Sequence, residues 1–230
     1  MIDVKPTVLD LFCGCGGLSL GFIQAGYRII AGIDTWQDAL DTFAFNHVDA
    51  KAIQADLFHI SPQEIKQQYD INHIDVIIGG PPCQGFSIAG KRMIDDERNQ
   101  LYKSFVEFVA LYQPKVFLME NVPNIISMGK GSIKEQIIQD FEALGYTINY
   151  KVLLAADFGV PQNRKRAFFV GLKNGQLFDF PKPLLSQVIT CQEAISDLSE
   201  ANLENGADYM IEPQSHFQAL MRKNSKGVYQ

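Results

Sequence analysis

With 230 residues, 47% of them hydrophobic, the chain can build one full domain, or one domain with a small appendage, and it has no stretch apolar enough to span a bilayer. A formal net charge of −6 excludes a surface that is basic all over, while leaving room for a local positive cleft on an acidic body. Cys13, Cys15, Cys83 and Cys191 show neither disulfide-framework spacing nor a Cys-x-x-Cys pair, and the amino end lacks the pattern of a targeting segment; a soluble protein in a reducing, cytoplasmic setting is expected.

Thr7 to Phe12 reads as a first strand. Cys13-Gly14-Cys15-Gly16-Gly17 is a glycine-rich turn, Leu18 to Ala25 a helix stopped by Gly26, and Arg28 to Ile33 a second strand with Asp34 at its end. Strand, glycine loop, helix, strand and acid make a nucleotide-type binding unit. Two details point away from a dinucleotide. Ser19 stands where the third glycine of that fingerprint would fall, and Asp10 sits at the loop's mouth, where it would repel a pyrophosphate. A carboxylate there suits a cationic ligand, such as the ammonium and sulfonium of S-adenosylmethionine. Asp34 fits a ribose diol, an N-cap for a helix over Thr35 to Asn46, or both. Cys13 and Cys15 read as loop packing rather than metal ligands.

Lys51 to Ala55 is a short third strand, and Asp56 at its end suits either an adenine amino group or a cap for the next turn. Ser61-Pro62-Gln63-Glu64 opens a helix that runs to about Tyr69. Ile74 to Ile78 is a buried strand of a parallel sheet. It runs into Gly79-Gly80-Pro81-Pro82-Cys83, which presents the Cys83 thiol just past the carboxyl end of a strand, where open α/β sheets bind ligands. Gln84 to Leu101 is polar, carries Lys91, Arg92 and Arg98, and reads as a candidate lid or an ordinary surface loop. Gln100 to Leu111 has helical periodicity.

Val116 to Met119 is a fifth strand. It delivers Glu120 to the same edge as Cys83, and a partly dehydrated carboxyl there can donate a proton near neutrality. Ser132 to Leu144 reads as a helix and Tyr146 to Leu154 as a strand. Gln162-Asn163-Arg164-Lys165-Arg166 precedes a last strong strand over Ala167 to Gly171. If that stretch is extended, Arg164 and Arg166 share a face; directed inward, their guanidiniums suit a phosphate or a base carbonyl. Pro181 and Pro183 mark a linker, Gln192 to Leu198 a short helix, and the remainder is polar without a clear period.

Asp10 to Gly17, Gly80-Pro81-Pro82-Cys83-Gln84, Glu120-Asn121-Val122 and Gln162 to Arg166 resemble, in order and spacing, the motifs of DNA (cytosine-5) methyltransferases, over about residues 7 to 200. The resemblance implies an α/β, Rossmann-like fold of the S-adenosylmethionine-dependent methyltransferases: a mostly parallel, doubly wound sheet with a terminal hairpin. It implies a cofactor-binding and catalytic domain over 1–175, a linker over 176–190, and the start of a target-recognition region over 191–230. Phe12 would stack on the adenine of S-adenosylmethionine, with Gly14, Gly16 and Gly17 passing close to the methionine part and Asp10 facing its positive charge. Asp34 would bind the ribose, Asp56 the adenine amino group, and Leu57 the ring. Cys83 would be the nucleophile, Glu120 would hold the cytosine edge, Arg166 the ring carbonyl, and Arg164 would support it. Gln84, Ser87 and Arg98 would lie in the DNA-contacting lid. The family's last two motifs and most of its target-recognition region have no counterpart here. The resemblance therefore implies duplex DNA with a flipped cytosine as substrate, and a second polypeptide as partner or a truncated product. A non-enzymatic cofactor-binding module and a tRNA methyltransferase are the alternative readings.

Overall fold

The structure is a computed structural model that describes residues 5–82, 100–184, 188–198 and 211–222. Among these, seven strands form one sheet in the order β3-β2-β1-β4-β5-β7-β6. They are β1 (Thr7–Leu11), β2 (Arg28–Asp34), β3 (Lys51–Gln54), β4 (Val76–Gly79), β5 (Val116–Asn121), β6 (Thr147–Leu154) and β7 (Lys165–Leu172). The helices are α1 (Gly17–Gln24), α2 (Gln37–Asn46), α3 (Pro62–Tyr69), α4 (Gln100–Tyr112), α5 (Ser132–Glu142), α6 (Cys191–Ile195) and α7 (His216–Met221). No helix among the described residues is long and apolar enough to cross a membrane.

β1 and β4 are buried along their whole length, because helices cover both faces of the sheet's centre. β1 pairs in parallel with β2 on one side and with β4 on the other, so the strand order reverses between β1 and β4. That reversal opens a crevice at the carboxyl edge, the place where this architecture binds ligands. β7 inserts antiparallel beside β5, with Glu120 opposite Phe168 and Asn121 opposite Ala167. Phe105, Phe117, Phe141 and Phe169 fill the core on one face, and the Phe117 and Phe141 rings stack with centroids 4.0 Å apart. Gly171 lets Phe117 lie against β7: a Cβ there would stand 2.1 Å from the ring. At α3, Ser61 Oγ accepts from Glu64 N–H while the Glu64 carboxylate accepts from Ser61 N–H, satisfying two of the amides at the helix start.

The chain divides into two compact units, Met1–Val152 with Arg166–Phe180, and Leu153–Lys165 with Pro181–Gln230. In the second, α6 and α7 are joined through a buried ion pair. Arg222 Nε donates to Asp197 Oδ2 at 3.0 Å, and its second nitrogen reaches Oδ1 at 2.9 Å and the Ala194 carbonyl at 3.2 Å. Asp197 is fully buried. Asp197→Ala takes this buried counter-ion away from the guanidinium and should cost about 3–5 kcal/mol, enough to unfold the small α6–α7 pair. Hydrogen exchange should show protection lost over α6 and α7 and kept over β1, β4 and β5; the paired change Asp197→Leu with Arg222→Met should restore it.

Candidate active site at the carboxyl edge of the sheet

The strand register places the ends of four strands on one line. Ile33 pairs with Leu11, Leu11 with Gly79, and Gly79 with Met119. Asp34, Phe12, Gly80 and Glu120 each follow that line by one residue, so the glycine loop and Glu120 share an edge.

At the β1 side, Phe12 adopts φ 60°, a left-handed conformation that side chains other than glycine rarely take. The turn swings the chain off the sheet, and Cys13 N–H then bonds the Ile33 carbonyl at 3.1 Å. Gly14 N–H donates to Asp34 Oδ2 at 2.8 Å, and Trp36 N–H donates to Asp34 Oδ1 at 3.0 Å. Asp34 therefore ties the glycine loop to the end of β2. It is not the cap of α2, whose N-cap is Trp36. Gly14 and Gly17 face open space, with no atom within 4 Å of a Cβ built on either. Gly16 is the opposite case: a Cβ would stand 2.2 Å from His47 Nε2 and 2.7 Å from the Phe43 ring. Cys13 is buried under the loop, and that burial, with the carboxylates of Asp10 and Asp34, pushes its thiol far up; Cys15 is exposed.

Asp10 lies within β1 rather than at the loop's mouth. Its carboxylate is 1% exposed and accepts from Ser19 Oγ at 2.6 Å. Burial pushes its pKa from an ordinary 3.8 up to about 7, partly offset by the Ser19 hydrogen bonds. Ser19, which departs from the dinucleotide pattern, is thus the partner that makes a buried carboxyl tolerable.

Beyond β3, Asp56 Oδ1 accepts from Phe58 N–H at 2.9 Å, which is the turn cap, and the carboxylate remains half exposed. Leu57 belongs to the core, and its carbonyl accepts from Ser104 Oγ at 2.6 Å. With Phe58, Ser61, Glu64 and Lys103 it lines a cavity of about 260 Å³.

At the β4–β5 side, Gly79 and Gly80 are required by close approach. A Cβ on Gly79 would lie 2.2 Å from the Leu11 carbonyl oxygen, and one on Gly80 would lie 3.1 Å from Glu120 Oε2. Arg166 Nε stands 2.7 Å from Glu120 Oε1, with both side chains about a quarter exposed. Arg164 directly precedes β7 and is exposed. Cys83, Gln84, Ser87 and Arg98 lie outside the described residues.

A residue without an assigned role in the sequence reading is Asn121. It is buried; its Nδ2 donates to the Pro81 carbonyl at 3.0 Å, and its Oδ1 accepts from Val122 N–H at 2.9 Å. It pins the segment that leads to Cys83 against the strand that carries Glu120. Asn121→Ala removes both partners and should destabilise the protein by about 1–3 kcal/mol in a urea titration. Its only sequence signal is its place beside Glu120.

A reversing α/β sheet, a glycine loop tied to an acid at the next strand's end, and an acid–guanidinium pair at the same edge define the Rossmann-like fold of the S-adenosylmethionine-dependent methyltransferases. The chain belongs to the C-5 cytosine-specific DNA methylase family, whose model matches residues 6–229. It is 41% identical, over 97% of its length, to the type II methyltransferase M.DdeI of Desulfomicrobium norvegicum, and 41% identical, over 95%, to M1.HphI of Haemophilus parahaemolyticus. The chain spans 56% and 60% of those two relatives. Among solved structures, a prophage-encoded E. coli protein described as a candidate DNA modification methyltransferase aligns with a TM-score of 0.74 at 33% identity, covering 91% of this chain and 61% of that one. A mutant DNMT2 of Spodoptera frugiperda shares the fold at 23% identity and a TM-score of 0.61, covering 81% of this chain and 55% of that one.

Proposed function

We propose that this chain carries the cofactor-binding and catalytic part of an enzyme that transfers a methyl group from S-adenosylmethionine to carbon 5 of cytosine in DNA. The observation that carries the reading is the register line that sets Phe12, Asp34, Gly80 and Glu120 at one edge. The residues fit the cofactor: Gly14 and Gly17 leave open space beside the loop, and Asp34 and Asp56 stand at successive strand ends. When bound, S-adenosylmethionine supplies an electrophilic methyl group on a sulfonium. Phe12 would stack on its adenine, Asp34 would bind the ribose diol, and Asp56 the adenine amino group.

Carbon 5 of cytosine is a weak nucleophile, and the protein's residues answer that. The Cys83 thiolate would attack carbon 6, forming a carbon–sulfur bond and moving the ring's double-bond electrons toward carbon 5; carbon 5 would then bond the methyl group as the sulfonium's bond to it breaks, leaving S-adenosylhomocysteine. A base removes the carbon-5 proton, the ring double bond reforms and the thiolate leaves. Glu120 holds the ring nitrogen and amino edge, and Arg166, paired with Glu120, faces the ring carbonyl, so charge that develops on the ring meets fixed partners. Carbon 6 is inaccessible inside a duplex, so the nucleotide is flipped out. The relatives' remaining length would supply target recognition and complete the cofactor pocket, from the same chain or a second one.

The test is transfer of a labelled methyl group to duplex DNA, and to tRNA as comparison, with and without a polypeptide carrying the family's final two motifs. The completed enzyme should label DNA, and Cys83→Ser should abolish labelling and the covalent trapping of 5-fluorocytosine DNA. No labelling by the completed enzyme, or equal labelling by Cys83→Ser, would overturn the reading.

A further inference from the structure

His47 caps the end of α2. Its backbone N–H bonds the Phe43 carbonyl at 2.9 Å, and its side chain, 4% exposed, folds back over the Phe43 ring with centroids 4.5 Å apart. Nε2 lies 3.1 Å from the Gly16 carbonyl oxygen. A carbonyl can only accept, so Nε2 carries the proton and donates it. Nδ1 is buried with no hydrogen-bond partner among the described residues. A buried acceptor left unmatched is a cost, and a phenyl ring would pack on Phe43 without it. What histidine offers here, and phenylalanine would not, is the Nε2 donor.

Gly16 is the pivot between the glycine loop and α1. It sits at φ 85°, its N–H bonds the Cys13 carbonyl at 2.9 Å, and its own carbonyl accepts from Leu20 N–H at 2.9 Å, the first bond of α1. The peptide joining Gly16 to Gly17 is planar and trans, so a carbonyl held toward His47 turns the Gly17 N–H the opposite way. Gly17 has open space beside it. Its N–H is among the first-turn amides that have no partner inside a helix and that suit an anion.

We propose that His47 is a positioning residue for the methyl donor: by holding the Gly16 carbonyl from behind, its imidazole aims the Gly17 N–H at the carboxylate of the donor's amino-acid part. This rests on the cofactor reading under Proposed function.

The experiment measures binding by the 230-residue chain, together with any completing polypeptide it needs, of two ligands. S-adenosylhomocysteine has the amino-acid carboxylate; 5′-methylthioadenosine lacks it. His47→Phe keeps the ring against Phe43 and deletes the donor. It should weaken S-adenosylhomocysteine about threefold to tenfold, leave 5′-methylthioadenosine unchanged, and leave the melting temperature unchanged or higher. His47→Gln, which restores an amide donor, should recover most of that loss. Unchanged S-adenosylhomocysteine binding by His47→Phe, or equal weakening of both ligands, overturns the proposal and leaves the cofactor reading standing. Failure of the unaltered chain to bind either ligand overturns both.

Discussion

Glu120→Gln should lower methyl transfer by the completed enzyme about 10²–10³-fold while leaving the fold intact. The glutamine keeps an oxygen that can accept from Arg166, 2.7 Å away in the present pair, and it keeps the shape that fits against Gly80. It loses the charge and the capacity to share a proton with the cytosine ring. Because the side chain is about a quarter exposed, its neutralisation leaves no buried partner stranded in the core, so the melting temperature should move little. Arg166→Lys is the companion: a point charge replaces a planar fork, so Glu120 should lose its fixed orientation and the rate should again fall. Single-turnover rates at saturating donor and DNA separate these effects from binding. A Glu120→Gln enzyme within tenfold of the unaltered rate would remove this carboxyl from the chemistry.

Asp10→Asn should make the protein more stable at and above neutral pH, and should flatten the pH dependence that the unaltered chain shows. The Asp10 carboxyl titrates near 3.8 in an unfolded chain and at about 7 in the fold, because burial disfavours its charge. The folded state therefore holds this proton more tightly. Its contribution to stability is fully present below pH 3.8, is lost progressively as pH rises, and is gone once pH has passed about 7. The whole span is worth about 4 kcal/mol at 1.36 kcal/mol for each tenfold change in affinity for the proton. The substituted amide would still accept from Ser19 and has no proton to lose in this range. Urea titrations at pH 5 and pH 8 should differ by less in the variant than in the unaltered protein. Equal pH slopes in the two would show that Asp10 does not titrate in the fold as its burial requires.

Much of this molecule is legible residue by residue. The apolar runs of β1, β4 and β5, the glycine turn and the Ser61–Glu64 capping box rest on interactions spanning a few positions, and the strands and helices form close to where those patterns put them. Boundaries differ by one to three residues, the most at α6, which ends at Ile195 rather than Leu198. Trp36 rather than Asp34 stands at the N-cap position of α2, because the helix begins at Gln37, and Asp34 instead accepts from the Gly14 and Trp36 amides. α7 leaves no such trace in the sequence, since its six residues make under two turns and show no readable apolar period.

The motif residues Phe12, Asp34, Glu120 and Arg166 could be named from the chain alone, because the types and order of reactive side chains are a property of the sequence. Their meeting could not. The line from Ile33 through Leu11 and Gly79 to Met119, the insertion of β7 beside β5 that carries Arg166 to Glu120, the sealing of Asp10 under Ser19 and the grip of His47 on Gly16 are all contacts between segments apart along the chain. Strand order and register follow from the joint packing of both sheet faces, which no local pattern records, so tertiary structure alone decided them.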